Sequence, residues 1–243
     1  FGFIGDDNYG SELKNYLKNE EIIIKNIKTH KNSHSGIAII FTTNSGQNHV
    51  NAVYGANEKK DLSLVDVFNK NIKSTKILIT QNELDEEITR ECMSIAIENN
   101  IPIILDPAPY RDNFDFDYYK MADFITPNEI ESEYMTGIKI QNIEDAKKSA
   151  NLLVAEGIKN CIITLGENGA YFKNENFENH FKPHKIHEVK ASVAAGDAFS
   201  GILGASLASG EELNKSIDTA IVGSALSVTK YGAQESMPLY DEI

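Results

Sequence analysis

Asp197 lies in the run ASVAAGDAFSG, behind two alanines and a glycine and ahead of a long stretch of small residues. Small side chains let a backbone approach another backbone or a ligand, and glycine also opens turns closed to other residues. Phe199, Ile202, Leu203 and Leu207 recur at helical spacing, which predicts a helix from Ala198 onward. The carboxylate then stands at or just before a helix start, where unpaired N–H groups and the helix dipole attract negative charge. Taken alone, it is most simply an N-cap.

A second acidic site lies in TPNEIESEYMTG. Pro127 ends an apolar run, and Asn128 stands at the turn into a short helix bearing Glu129, Glu131 and Glu133. Acidic residues suit a helix N-terminus for dipole reasons alone. Asn128 and Glu131 also share one helical face that would point at a strand-end crevice. A carboxylate there could hold Mg²⁺ directly or through its waters. TLGENG, Thr164–Gly169, follows another apolar run and could be a ligand loop or a plain hairpin turn into AYFKN. His180, His184 and His187 have a spacing that could suit a metal, but in a polar stretch with no cysteine nearby they read as solvated.

Several classes drop out. The formal net charge of −13 argues against a nucleic-acid surface, although a small phosphorylated ligand needs only a local pocket. There is no G-x-x-x-x-G-K-[ST], no complete G-x-G-x-x-G, and no serine in a nucleophile elbow. No membrane-spanning run is present. Cys92 and Cys161 lie far apart in apolar patterns and read as core residues of a reducing, cytoplasmic protein. The chain opens FGFIGDDNYG, without methionine and inside an apolar run, so the natural protein is expected to continue upstream of Phe1.

The elements that must position these groups follow an alternating rhythm. Apolar runs at 76–80, 101–107, 122–128 and 160–166 are separated by helical patterns at 84–99 and 143–156. Two more helices flank Ser209–Glu212, whose S-x-x-E spacing fits a capping box. Strands apolar throughout predict a mostly parallel sheet with helices on both faces. Ligands bind at the carboxyl ends of such strands, where LDPAP, TPNE and TLGENG all fall. Residues 35–57 break the rhythm and read as a β-hairpin with a glycine-containing turn. The expectation is one α/β domain over 1–243 with a small β appendage.

GDDNYG, SGIAIIF, LDPAP, TPNEIE, TLGENG, AAGDAFSG and GAQESMP occur in that order. This combination resembles the ribokinase (PfkB-type) family of sugar and nucleoside kinases over nearly the whole chain. The A-A-G-D and N-x-x-E motifs together are its most specific part.

The resemblance implies an ATP-dependent sugar kinase of ribokinase-like fold acting on the 5-hydroxyl of D-ribose. Another sugar or nucleoside is the alternative, and a degenerate kinase fold serving as a binding protein is the rival from a different class. Asp197 would be the catalytic base, and Ala194, Ala195 and Gly196 would close backbone N–H groups around the transferring phosphoryl. Asn128 would contact nucleotide phosphates, and Glu131 would organise Mg²⁺ through water. Thr164, Leu165, Gly166, Glu167, Asn168 and Gly169 would line the nucleotide site with Ile221, which replaces an often polar neighbour of the adenine. Glu83 matches a position that touches the sugar. The hairpin at 35–57 would be a lid over the sugar and a homodimer interface. The family's sugar-binding G-G-K-G-A-N stretch is not among these residues. Val193, Ser227, Lys230, Gly232 and Ser236 match a K⁺ site whose usual aspartate is replaced by Ala191, so K⁺ activation is expected to be weak.

Overall fold

The computed structural model describes residues 1–42, 48–111 and 115–243. They pack as two compact units, one taking in Phe1–Phe41, His49–Thr75 and Asn82–Asn100, the other Lys76–Gln81 and Ile101–Ile243.

In the first unit, β1 (Gly2–Gly5) pairs in parallel with β2 (Ile27–His30) through α1 (Asn8–Asn19), followed by α2 (Ser63–Asn71) and α3 (Glu86–Glu98). Asp7 caps α1 by accepting the Gly10 N–H at 2.8 Å, and also accepts the N–H and hydroxyl of Ser35 at 2.7 Å each. These bonds hold its carboxyl below the usual carboxylate range. Phe3, Ala56, Leu64 and Ile88 form the core of this unit. The predicted hairpin is present as β3 (Ile37–Thr42) and β4 (Asn48–Val53), which pair as a separate two-stranded sheet; its turn lies outside the described residues. Ile39, Phe41, Val50 and Val53 on it are exposed.

The second unit is built on a six-stranded sheet. In chain order its strands are β5 (Leu78–Thr80), β6 (Ile103–Leu105), β7 (Phe124–Ile125), β8 (Asn160–Thr164), β9 (Ala170–Asn174) and β10 (Glu178–Phe181), and in space they run β10-β9-β8-β7-β6-β5. β5 to β8 are parallel, while β8, β9 and β10 form an antiparallel meander. TLGENG is thus a hairpin turn, closed by the Leu165 N–H to Gly169 carbonyl bond at 2.8 Å. β7 stops after Ile125 because Pro127 has no N–H to give. Parallel pairing resumes only as a bridge between Asn128 and Thr164.

Helices α4 (Phe116–Tyr119), α5 (Glu129–Thr136), α6 (Ile143–Ala155), α7 (Ala195–Ala208) and α8 (Leu213–Ser227) complete the unit. Phe199, Leu203, Ile217 and Ala220 of α7 and α8 pack on Ile104, Ile162 and Phe172 from one face of the sheet. Cys161 and Ile163 alternate to the opposite face, where α6 packs against β8 and β9. The small residues of α7 and α8 are close-approach sites. A Cβ at Gly204 would fall 2.4 Å from Ile79 Cδ1, and one at Gly223 would fall 2.1 Å from Ile202 Cδ1.

The expected capping box at Ser209–Glu212 is not formed. Ser209 is the C-cap of α7 and donates its hydroxyl to the Ser206 carbonyl at 2.7 Å, while Glu212 precedes α8 without a side-chain cap. Four residues, 209–212, separate the helices, and the N-cap position of α8 falls on Glu212, three residues past Ser209, which already closes α7. No helix among the described residues is long and apolar enough to cross a membrane.

Candidate active site

Among the described residues, α1, α3, α4, α5 and α6 begin with an Asp or Asn side chain bonded to a first-turn N–H, while α2 and α8 begin on Leu62 and Glu212 with ordinary backbone and no side-chain cap. The start of α7 is built differently. Its N-cap is Ala194, which offers no side-chain bond and sits in the left-handed region at φ +60°. An alanine in that conformation costs roughly 1–2 kcal/mol, and an alanine N-cap forfeits about 1 kcal/mol more. The first intrahelical bond runs from the Ala198 N–H to the Ala194 carbonyl at 2.9 Å. The N–H groups of Ala195, Gly196 and Asp197 therefore have no acceptor within the helix. Such an end binds anions. The Ser224 hydroxyl fixes the turn from α8 by donating to the Ala195 carbonyl at 2.9 Å. Asp197 is exposed in this first turn.

Asn128 and Glu131 do form a capping box: the Glu131 carboxylate accepts the Asn128 N–H at 2.9 Å, and the Asn128 side chain accepts the Glu131 N–H at 2.9 Å. Glu131 is only 8% exposed, and burial, with repulsion from Glu129 behind it, raises its pKa despite those bonds.

Asp106, at the end of β6, was visible in the sequence only as the carboxylate of a strand-end LDPAP and had no role assigned. It is buried, its Oδ1 accepts the Ala108 N–H at 3.1 Å, and its Oδ2 accepts the Ser200 hydroxyl at 3.3 Å. Burial first, then repulsion from Glu131 and Asp197, pushes its pKa up to about 7. The signal that could have found it is an acidic residue just past an apolar parallel strand.

Asn128, Thr164, Gly166, Glu167, Gly169, Gly196 and Ile221 line one cleft of about 780 Å³ in the second unit. His184, Lys185 and His187 also line it, although exposed, and Ile186 and Val189 add apolar wall. The sequence had left these histidines without a role at the site. Leu165 is buried beneath the turn, and the Asn168 backbone carbonyl accepts a hydrogen bond from a ring nitrogen of His180 at 2.7 Å; neither residue lines the cleft. Glu83 belongs to the first unit, exposed, two residues ahead of the α3 cap Asp85.

Two cation sites were expected. Buried Glu131, with Asp106 close enough to feel its charge, leaves excess acidic oxygen at the strand ends. That donor set fits a hard divalent ion held through water. The second set does not fit a tightly held cation. Ala191 is a buried methyl, the Ser227 and Ser236 hydroxyls donate to the carbonyls of Ser224 and Ala233, and the Lys230 ammonium pairs with Glu242. Val193 and Gly232 can add only neutral carbonyls. No group of three or more His, Cys, Asp or Glu among the described residues is arranged around a metal position.

The pfkB family carbohydrate kinase pattern matches residues 1–239. The chain is 29% identical over 245 residues to ribokinase from Schizosaccharomyces pombe, covering all of this chain and 77% of that one. It is 27% identical to deoxyribokinase from Salmonella typhi, covering 98% of this chain and 78% of that protein. The crystal structure of ribokinase from Thermotoga maritima superposes with a TM-score of 0.86 at 30% identity, over 99% of this chain and 77% of the other. A strained, uncapped helix start carrying an aspartate, beside a strand-end cleft, is thus found on a ribokinase-like fold: the chain belongs to the pfkB family of carbohydrate kinases.

Proposed function

We propose that this protein transfers the γ-phosphate of ATP to the 5-hydroxyl of D-ribose, with Asp197 as general base. The observation that carries the reading is the α7 start, where Ala194 is held left-handed and uncapped while Gly196 opens on the cleft and Asp197 follows it. A helix start shaped only for stability has no need of a left-handed alanine, and among the described residues no other helix has its N-cap in that region.

In this reading the sugar oxygen attacks the γ-phosphorus, its proton passes to the Asp197 carboxylate, and the bond from that phosphorus to the β–γ bridging oxygen breaks. N–H groups of Ala195 and Gly196 donate to the phosphoryl oxygens as charge develops on them. Asn128 and the Thr164–Gly169 turn hold the nucleotide, with Ile221 against the base. Glu131 would hold Mg²⁺ through water, and the ion would supply charge neutralisation on the phosphates. Excluding water from the sugar side is the part assigned to the β3–β4 hairpin, whose exposed apolar residues also suit a dimer interface.

Deoxyribose is the second reading, since the deoxyribokinase relative is nearly as similar as the ribokinase one. The test is coupled ADP release by the full-length protein with ribose, deoxyribose, fructose and adenosine in turn. Ribose is expected to give the highest kcat/KM. A higher value for deoxyribose replaces the substrate, and no turnover with any of them overturns the kinase reading in favour of a binding protein.

A further inference from the structure

Asp106, Ser200 and Thr126 form a buried polar chain that the transfer reaction does not obviously need. Ser200 is 3% exposed and Thr126 4%; the two hydroxyl oxygens lie 3.0 Å apart, and Ser200 continues to Asp106 Oδ2 at 3.3 Å. Ser200 follows Asp197 by three residues on α7, nearly one turn later on the same side of the helix. Asp106 closes β6 and Thr126 closes β7, where its N–H donates to the Leu105 carbonyl at 3.2 Å. Among the described residues, Asp106 Oδ2 is also the one atom beyond Gly196's own helix and neighbours within 4 Å of a Cβ built there, at 3.6 Å. The carboxyl therefore lies against the turn that bears the phosphoryl-binding N–H groups.

We propose that Asp106 is a positioning residue for phosphoryl transfer, holding the first turn of α7, and with it Gly196 and Asp197, in register with the strand ends through Ser200. An apolar side chain of similar volume would pack this site at lower cost than a carboxyl. Transfer catalysis depends on placement, and a misplacement of about 1 Å can remove 10²-fold in rate. The proposal rests on the reading of Asp197 as base.

The experiment compares Asp106→Ala, Asp106→Asn, Ser200→Ala and Asp197→Asn in the full-length protein. Asp106→Ala is expected to lower kcat at least tenfold with sugar KM within about twofold, and Asp106→Asn, which keeps shape and hydrogen bonding, to recover most of that rate. Ser200→Ala is expected to repeat the kcat-selective loss in milder form, and it decides the matter if Asp106→Ala does not fold. Wild-type kcat in both Asp106→Ala and Ser200→Ala, or an Asp106→Asn as slow as the alanine, overturns the positioning role. If Asp197→Asn keeps its rate while Asp106→Ala loses it, the base assignment falls and Asp106 is tied to some other reacting group on the same helix.

Discussion

Asn128 and Glu131 cap one another, each accepting the other's backbone N–H at 2.9 Å, so the carboxylate proposed to hold a metal also closes its own helix. The two duties can be separated because glutamine serves the N3 position of a capping box as glutamate does. Glu131→Gln is expected to leave Tm within a few degrees of the wild type. It should raise the Mg²⁺ needed for half-maximal rate and lower kcat, with sugar affinity measured without nucleotide unchanged. Unaltered Mg²⁺ dependence together with lost sugar binding would give this carboxylate a different job.

Asp197→Asn keeps the shape of the side chain and removes the proton acceptor. A general base is worth roughly 10²–10⁴-fold, and kcat should fall by that much. ATP binding should stay close to wild type, since the first-turn N–H groups of α7 are untouched. Retention of more than a tenth of the rate would sink the assignment.

Asp106 couples the fold to pH. Its folded pKa of about 7 lies above the ordinary 3.8, so the folded protein holds a proton there that the unfolded chain gives up. Stability from this group is complete below 3.8 and declines as pH rises to about 7, because burial disfavours the charge that forms and Glu131 on α5 and Asp197 on α7 repel it. Asp106→Asn carries no such charge. Its Tm, measured by calorimetry, should gain on the wild type by a few degrees between pH 4 and pH 7.5, and a constant difference across that range would refute the shift.

Ala191 leaves the expected K⁺ site without a charged ligand. A missing charge at contact distance, even strongly screened, weakens a cation by about 1 kcal/mol or more, which is several-fold in affinity. KCl titrated at constant ionic strength should activate the full-length enzyme weakly or not at all, and Ala191→Asp should introduce saturable activation. Saturable low-millimolar activation of the Ala191 protein would show the aspartate to be dispensable.

The parts of this molecule that were legible in the sequence are those with a period or a local signature. The parallel strands came from their apolar runs, and the helix from Ala198 from the spacing of Phe199, Ile202 and Leu203. Boundaries moved where a particular residue intervened: Asp85 sets the start of α3 by accepting the N–H groups of Glu87 and Ile88, and Pro127 shortens β7. The Ser209–Glu212 spacing misled because a pattern cannot say which of two adjoining helices a serine serves. Asp106 escaped because its partner Ser200 is 94 positions away, and only the fold brings the two together. Ala194 was named from the resemblance, but its left-handed conformation escaped, since nothing in an alanine announces a positive φ.

The six-stranded sheet also carries an order of assembly. Its antiparallel edge, β8 to β10, closes through short turns within 160–181, whereas each parallel pair must first bring in a longer intervening segment. Contacts near in sequence cost less loop entropy and form sooner, so the meander is the natural seed of this unit and β5, at the far edge, the late arrival. Pulse-labelled hydrogen exchange during refolding should then protect the amides of Ile162 and Phe172 before that of Leu78. The hairpin turn that lines the cleft would in that case be in place before the strand end bearing Asp106 has docked beside it.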